Sequence, residues 1–180
     1  QALPDDDIAR RALTAAEIGQ PLPPLRADHP LQGWIAYARL NRDIANLTHA
    51  QAQDFLERYR GQAVGESFRA VWLAELAKRR DWPGFRAAWV PGTGGPALAC
   101  NALEARLRTG AADAQWTQEV QALWRGAGRS QPDACDPVFD ALDYVHAQGL
   151  IHRDIAPDNV MIRADGRPVL IDFGALKQIA

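Results

Sequence analysis

Three side chains near the end of the chain stand out by type and spacing: Asp154, Asn159 five residues on, and Asp172 thirteen residues after that. Between the last two lie Val160-Met161-Ile162 and Val169-Leu170-Ile171, short apolar runs rich in β-branched residues and separated by Asp165-Gly166. That is a β-hairpin pattern. It brings Asn159 and Asp172, at opposite ends of paired strands, to one edge. Elsewhere the chemistry is sparser. The four histidines (29, 49, 146 and 152) show no metal-ligand spacing. Glu57, Glu66, Glu75 and Glu104 follow helix faces and read as solvated positions. No pair of carboxylates can be assigned glycosidase roles. Cys100 and Cys135 are too few to define a disulfide scaffold, and two buried reduced thiols remain an open alternative to a bond.

The elements around these residues fall into two grammars. From about Asp5 to Gly149 the chain reads as some seven short helices. Trp34, Tyr37, Leu40, Ile44 and Leu47 place bulky residues at steps of three and four, one helical stripe. Thr48, three residues before Gln51, is a capping-box start for a helix over about His49 to Tyr59. Phe68, Val71, Trp72 and Leu76 form another stripe, closed by the cations Lys78, Arg79 and Arg80. Asp81 is an N-cap with Pro83 in the following first turn. After the breaker Pro91 to Pro96 come a helix that stops at Gly110, one around Trp116 to Gly126, and one opened by Asp136-Pro137. Helices this short are marginal alone, so they must pack on neighbours. The expected fold is mostly α, a stack of helical hairpins forming a bundle or superhelical solenoid, followed by a short helix and the β-hairpin.

Composition excludes several classes. Among 180 residues, 20 Lys+Arg against 22 Asp+Glu leave a charge of −2, without the basic excess of a dedicated nucleic-acid binder. No run approaches the roughly 18 apolar residues that span a bilayer. The opening at Gln1, without a charged start and apolar stretch, is expected of a processed form or a fragment, and is compatible with removal of a signal peptide.

The last forty residues resemble a protein kinase of the bacterial Ser/Thr type. Ala141 to Gly149 is similar to the helix before a kinase catalytic loop; His152-Arg153-Asp154, Asn159 and Asp172-Phe173-Gly174 then stand at the family spacing. Seven specified residues at fixed offsets arise by chance about once in a billion tries at average usage. The resemblance implies that Asp154 accepts the substrate hydroxyl proton and that Asn159 and Asp172 hold the metal ions on ATP. Ala156 departs from the lysine that many Ser/Thr kinases carry there. No Gly-rich phosphate loop or V-A-I-K lysine can be placed before residue 140, and only eight residues follow Asp172. Positioning is most of kinase catalysis, so this chain alone is expected to show no kinase activity. ATP and Mg²⁺ are implied by the resemblance only, and no cofactor is expected for the isolated chain.

Residues 5–140 resemble a different family. His29-Pro30-Leu31 leading into Trp34 and Tyr37, then Trp72 to Arg79, Asp81-Trp82, Cys100, Ala105 to Gly110, Leu123-Trp124 and Ser130 to Asp136 occur in the order of the N-terminal superhelix of soluble lytic murein transglycosylases. The resemblance implies helix hairpins curling around a peptidoglycan strand, a periplasmic setting, and a bond between Cys100 and Cys135. The family's catalytic glutamate lies in a separate lysozyme-like domain that nothing here matches.

The two halves, 5–140 and 141–180, conflict. Oxidised thiols and glycan strands belong to the periplasm, ATP to the cytoplasm. The seam at Phe139-Asp140-Ala141-Leu142 has no Pro-, Gly- or Ser-rich linker. Three functions are expected in turn: a non-catalytic peptidoglycan-associated helical module in a chimera, with peptidoglycan strands as partner and no nucleic acid or membrane; a protein-kinase remnant that binds nucleotide; or a helical scaffold without a ligand of its own.

Overall fold

The computed structural model describes residues 4–126, 132–147, 150–151, 160–162, 168–170 and 177–178. Among them the chain is mostly α-helical, and its contacts divide it into two compact units, Gln1–Gly84 with Ala88–Thr93 and Phe85–Ala87 with Gly94–Ala180. This division lies well before the seam between the two sequence resemblances near residue 140. Each unit has its own core.

The first unit opens with α1 (Pro4–Ile18), whose first turn carries Asp5, Asp6 and Asp7 beside the unsatisfied N–H groups of the helix start. It ends at Gly19, φ +78°, where the Gln20 N–H returns to the Ala15 carbonyl at 2.8 Å. No stripe in the sequence had singled out this helix, because its buried face is alanine. Ala12 and Ala16 allow close approach to Ile35 and Ala38 of α2 (Gln32–Arg42).

The stripe expected to run from Trp34 to Leu47 as one helix is broken. α2 stops at Arg42, and Ile44–Asn46 form a 3-10 turn. The Asn46 amide donates to Asp43 at 2.7 Å, a local alternative to the helical ladder. The carbonyls of Ile44, which also accepts the Leu47 N–H, and of Leu47 accept from the Arg79 guanidinium at 2.6 and 3.1 Å. Leu47 is thereby buried from an extended stretch of chain.

Thr48 opens α3 (His49–Arg58) through a full capping box: the Gln51 N–H donates to Thr48 Oγ1, and the Thr48 N–H to Gln51 Oε1 at 3.0 Å. α4 (Ala63–Arg79) is the centre of the unit. Phe68, Trp72, Leu73 and Leu76 are wholly buried on it, and α2 and α3 both pack against it. It closes at Arg80 in the left-handed region, φ 56°, with the Asp81 N–H on the Leu76 carbonyl at 2.9 Å.

Asp81 then caps α5 (Trp82–Ala88) by accepting from the Gly84 N–H at 3.0 Å. Its second carboxylate oxygen lies 2.6 Å from His49 Nε2, tying the start of α3 to the α4–α5 corner. A β-carbon on Gly84 would collide with the His49 ring, so the close approach requires glycine.

The second unit contains α6 (Pro96–Arg108), α7 (Ala114–Gly126), a 3-10 turn at Asp133–Cys135 and α8 (Asp136–Ala147). Gly95 and Pro96 start α6, and Gly110, φ +71°, ends it with the Ala111 N–H on the Arg106 carbonyl at 2.8 Å. Cys100, Leu103, Trp116, Val120, Val138 and Phe139 form the core with Cys135. The Trp116 indole N–H is satisfied there by the Leu103 carbonyl at 2.9 Å. Two antiparallel strand pairs follow. β2 (Val160–Ile162) runs beside β3 (Pro168–Leu170) in the register Val160–Leu170, Met161–Val169, Ile162–Pro168. β1 (Leu150–Ile151) pairs with β4 (Lys177–Gln178), which nothing local in the sequence suggested.

Candidate functional site

The residues expected to act in phosphoryl transfer, Asp154, Asn159 and Asp172, lie outside the described residues, as do His152 and Arg153. What is described is their frame. β2 begins one residue after Asn159 and β3 ends two residues before Asp172.

Cys100 and Cys135 are joined, with Cα atoms 4.9 Å apart and both residues fully buried. Cys100 sits on α6 and Cys135 ends the 3-10 turn before α8, so the bond closes a segment containing all of α7. The reduced-thiol alternative does not describe this structure. Closing a loop with a sequence separation of 35 removes roughly 3–4 kcal/mol of unfolded-chain entropy.

The acidic residues divide. Glu57 and Glu66 are exposed beside Arg60 and Arg69. Glu75 and Glu104 are not solvated, which corrects the expectation from their helical positions. The Glu75 side chain is 10% exposed and accepts from Arg79 Nε at 3.0 Å; Glu104, 8% exposed, accepts from Arg108 Nε at 3.2 Å. Each is neutralised one turn along its own helix, so each is a packed ion pair. A third centre joins Arg106 to Glu119 at 2.6 Å and to Asp113 at 3.0 Å. Asp113 caps α7 by accepting from the Trp116 N–H at 2.8 Å, and that bond, with the Arg106 charge, holds its carboxyl below the usual range. Among the described residues no group of three or more His, Cys, Asp and Glu is placed to hold a metal ion.

Among the described residues of the first unit, two clefts of similar size open beside a smaller one lined by Gly19, Leu22, Arg39 and Arg42. One, about 430 Å³, lies along α1 and α2 against Leu13, Leu31, Trp34 and Tyr37, with Glu17, Asn41 and Arg42 at its rim. The other, of similar size, is polar and runs along α2 and α3 past Arg39, Asp43, Asp54 and Arg58. In the sequence Trp34 and Tyr37 stand only as members of one helical stripe. The available signal was that Asn41 and Arg42 continue the same face of α2 one and two turns beyond those rings.

Residues 129–180 match the protein kinase domain family. Over 122 residues the chain is 30% identical to the soluble lytic murein transglycosylase of Salmonella typhimurium, covering 68% of this chain and 18% of that protein. Over 42 residues it is 60% identical to the serine/threonine-protein kinase PknA of Nostoc sp., covering 23% of this chain and 7% of that kinase. A structure of the 70-kDa soluble lytic transglycosylase in complex with bulgecin A shares the fold, with a TM-score of 0.67 and 23% identity over 80% of this chain and 24% of that one. The chain thus spans under a fifth of the length of the transglycosylase it matches. No described helix is long and apolar enough to cross a membrane. The chain is homologous to a soluble lytic murein transglycosylase over most of its length and carries a partial protein-kinase match at its end.

Proposed function

We propose that the helical part is a non-catalytic module that associates with peptidoglycan, and that the kinase-like segment joined to it does not transfer phosphate. The observation that carries this reading is the likeness in sequence and fold to a protein that acts on murein. It occurs in a stretch whose buried carboxylates, Glu75 and Glu104, are already committed to neighbouring arginines. A glycosidase needs one carboxyl group free to donate a proton and a second free to attack or stabilise. Glu75 and Glu104 are paired instead with Arg79 and Arg108 of their own helices.

The kinase-like segment supplies side chains for metal and proton but no phosphate-gripping loop within these 180 residues. Without that grip ATP is not oriented for transfer. The two segments belong by resemblance to different compartments, periplasm for the first and cytoplasm for the second, which supports a chimera formed by joining two reading frames. Long-read sequencing across codons 135 to 145 tests the join: two separate genes support it, and one continuous gene contradicts it.

The module itself is tested by sedimentation with purified sacculi. The expected result is protein in the pellet and no soluble glycan in the supernatant. The family match at residues 129–180 favours one second reading, a nucleotide-binding remnant. Calorimetry with Mg-ATP separates the two, because that remnant releases heat on binding and the proposed module does not.

A further inference from the structure

The charged residues of the first unit are mostly paired close to home. Arg10 meets Asp7, Arg26 meets Asp5 and Asp28, Arg58 meets Asp54, and Arg79 meets Glu75. Along the cleft between α1 and α2 the pattern differs. The side chains of Glu17, Asn41 and Arg42 form no ion pair or side-chain hydrogen bond among the described residues. The Trp34 indole N–H and Tyr37 hydroxyl are likewise without a hydrogen-bond partner there. Unpaired donors, acceptors and charges of both signs thus ring an apolar floor made by Leu13 and Leu31.

The wall is also held in place. Trp34 stands edge-on to Tyr37 at 5.9 Å, and Tyr37 edge-on to the fully buried Phe68 at 6.4 Å. The series continues through Phe55, 4.6 Å from Phe68, so the aromatic wall is seated on the core of the unit. Arg42 has its guanidinium over Gly19, where any side chain would collide with it. Arg42 lines both this cleft and the smaller one beside Gly19, so its cation stands at the boundary of the two, with its donors uncommitted among the described residues.

We infer that this cleft binds one pyranose unit that bears a carboxylate-ended substituent, with the sugar on the Trp34–Tyr37 wall and the carboxylate on Arg42. The inference rests on the peptidoglycan reading and names the part of that polymer which the cleft takes. The complementarity is specific at each end. Aromatic surfaces take the apolar C–H face of a pyranose, and a guanidinium takes a carboxylate through two parallel donors. Glu17 and Asn41 remain to pair with ring hydroxyl and acetamido groups. A volume of about 430 Å³ lies within the range of small-molecule sites and fits one sugar with its substituent.

The test follows the indole N–H signals of the full chain by NMR, with the Trp34 signal assigned from its loss in Trp34→Phe. N-acetylmuramic acid, which carries a lactyl carboxylate, is compared with neutral N-acetylglucosamine. The acidic sugar is expected to shift the Trp34 signal saturably and to bind more tightly than the neutral one. Arg42→Gln should weaken the acidic sugar by about tenfold, the loss of a charge-assisted contact, and leave the neutral one unchanged. Glu17→Gln should strengthen the acidic sugar by removing a like charge, a change opposite in sign to any general loss of structure. Equal binding of both sugars, no response at Trp34, or a Trp34 shift that depends only on protein concentration would each overturn the inference. Sacculus binding by a chain whose Trp34 ignores both sugars removes the cleft and keeps the module. A Trp34 response in a chain that ignores sacculi does the reverse.

Discussion

The two units of the chain reach stability by different means. In the first, Phe68, Trp72, Leu73 and Leu76 of α4 are buried without any covalent tie. Arg79 lies 5.0 Å over the Trp72 ring while its donors reach the Ile44 and Leu47 carbonyls at the 3-10 turn after α2. In the second, a disulfide passes through the middle of the apolar cluster of Leu103, Trp116 and Val138. Apolar packing is indifferent to redox poise, whereas a disulfide requires an oxidising compartment. The second unit therefore carries a dependence on its surroundings that the first does not.

The largest effect that would break this contrast is in the first unit. Phe68→Ala removes a ring that touches both Phe55 and Tyr37 and should cost about 3–5 kcal/mol. Hydrogen exchange of the α4 amides is the readout. A loss under about 1 kcal/mol would mean that the aromatic series does not hold the unit. Next is reduction of the disulfide. Chemical denaturation with and without dithiothreitol should differ by roughly 3–4 kcal/mol for α6 to α8, with α1 to α4 unchanged.

Two local devices sharpen the comparison with smaller effects. Thr48→Ala removes the side-chain acceptor of the α3 capping box and should cost about 1 kcal/mol, read from the denaturation midpoint. The smallest change is at Asp113, whose folded carboxyl is held below the ordinary range by the Trp116 N–H and Arg106. A depressed folded value gives stability that is full above the unfolded carboxyl range and is lost as pH falls through the folded one. Asp113→Asn should therefore lower the neutral plateau slightly, leave the acid end unmoved, and so flatten the acid limb of the stability profile read by denaturation at each pH.

Much of the fold was legible because it is written locally. The Thr48–Gln51 box, the Asp81 cap and the Gly110 stop each need only residues within a few positions of one another. The break between Arg42 and Ile44 was not legible, because its carbonyls are satisfied by Arg79 from 32 and 35 positions away. Glu75 and Glu104 looked solvated since helical position shows a face and not what covers it. The Asp113 cap is a local signal that went unread beside the stronger Trp116 stripe. β1 and β4 are two residues each and pair across more than twenty residues, too short to leave a periodicity.

The candidate site was legible unevenly. The spacing of Asp154, Asn159 and Asp172 is a strong pattern, yet those three residues lie outside the described structure. The cleft along α1 and α2 had the weaker signal, since Trp34 and Tyr37 at helical spacing are equally the marks of a core stripe. What marks it is that Arg42, Asn41 and Glu17 have no side-chain partner among the described residues. Absence of a partner is a property of three dimensions.

We propose above that the helical part holds peptidoglycan without cutting it. Sedimentation of the full oxidised chain with purified sacculi tests this most directly, with turbidity followed in the same tube. The expected result is protein in the pellet and a constant turbidity. Protein left in the supernatant, or turbidity that falls as glycan strands are released, would contradict it.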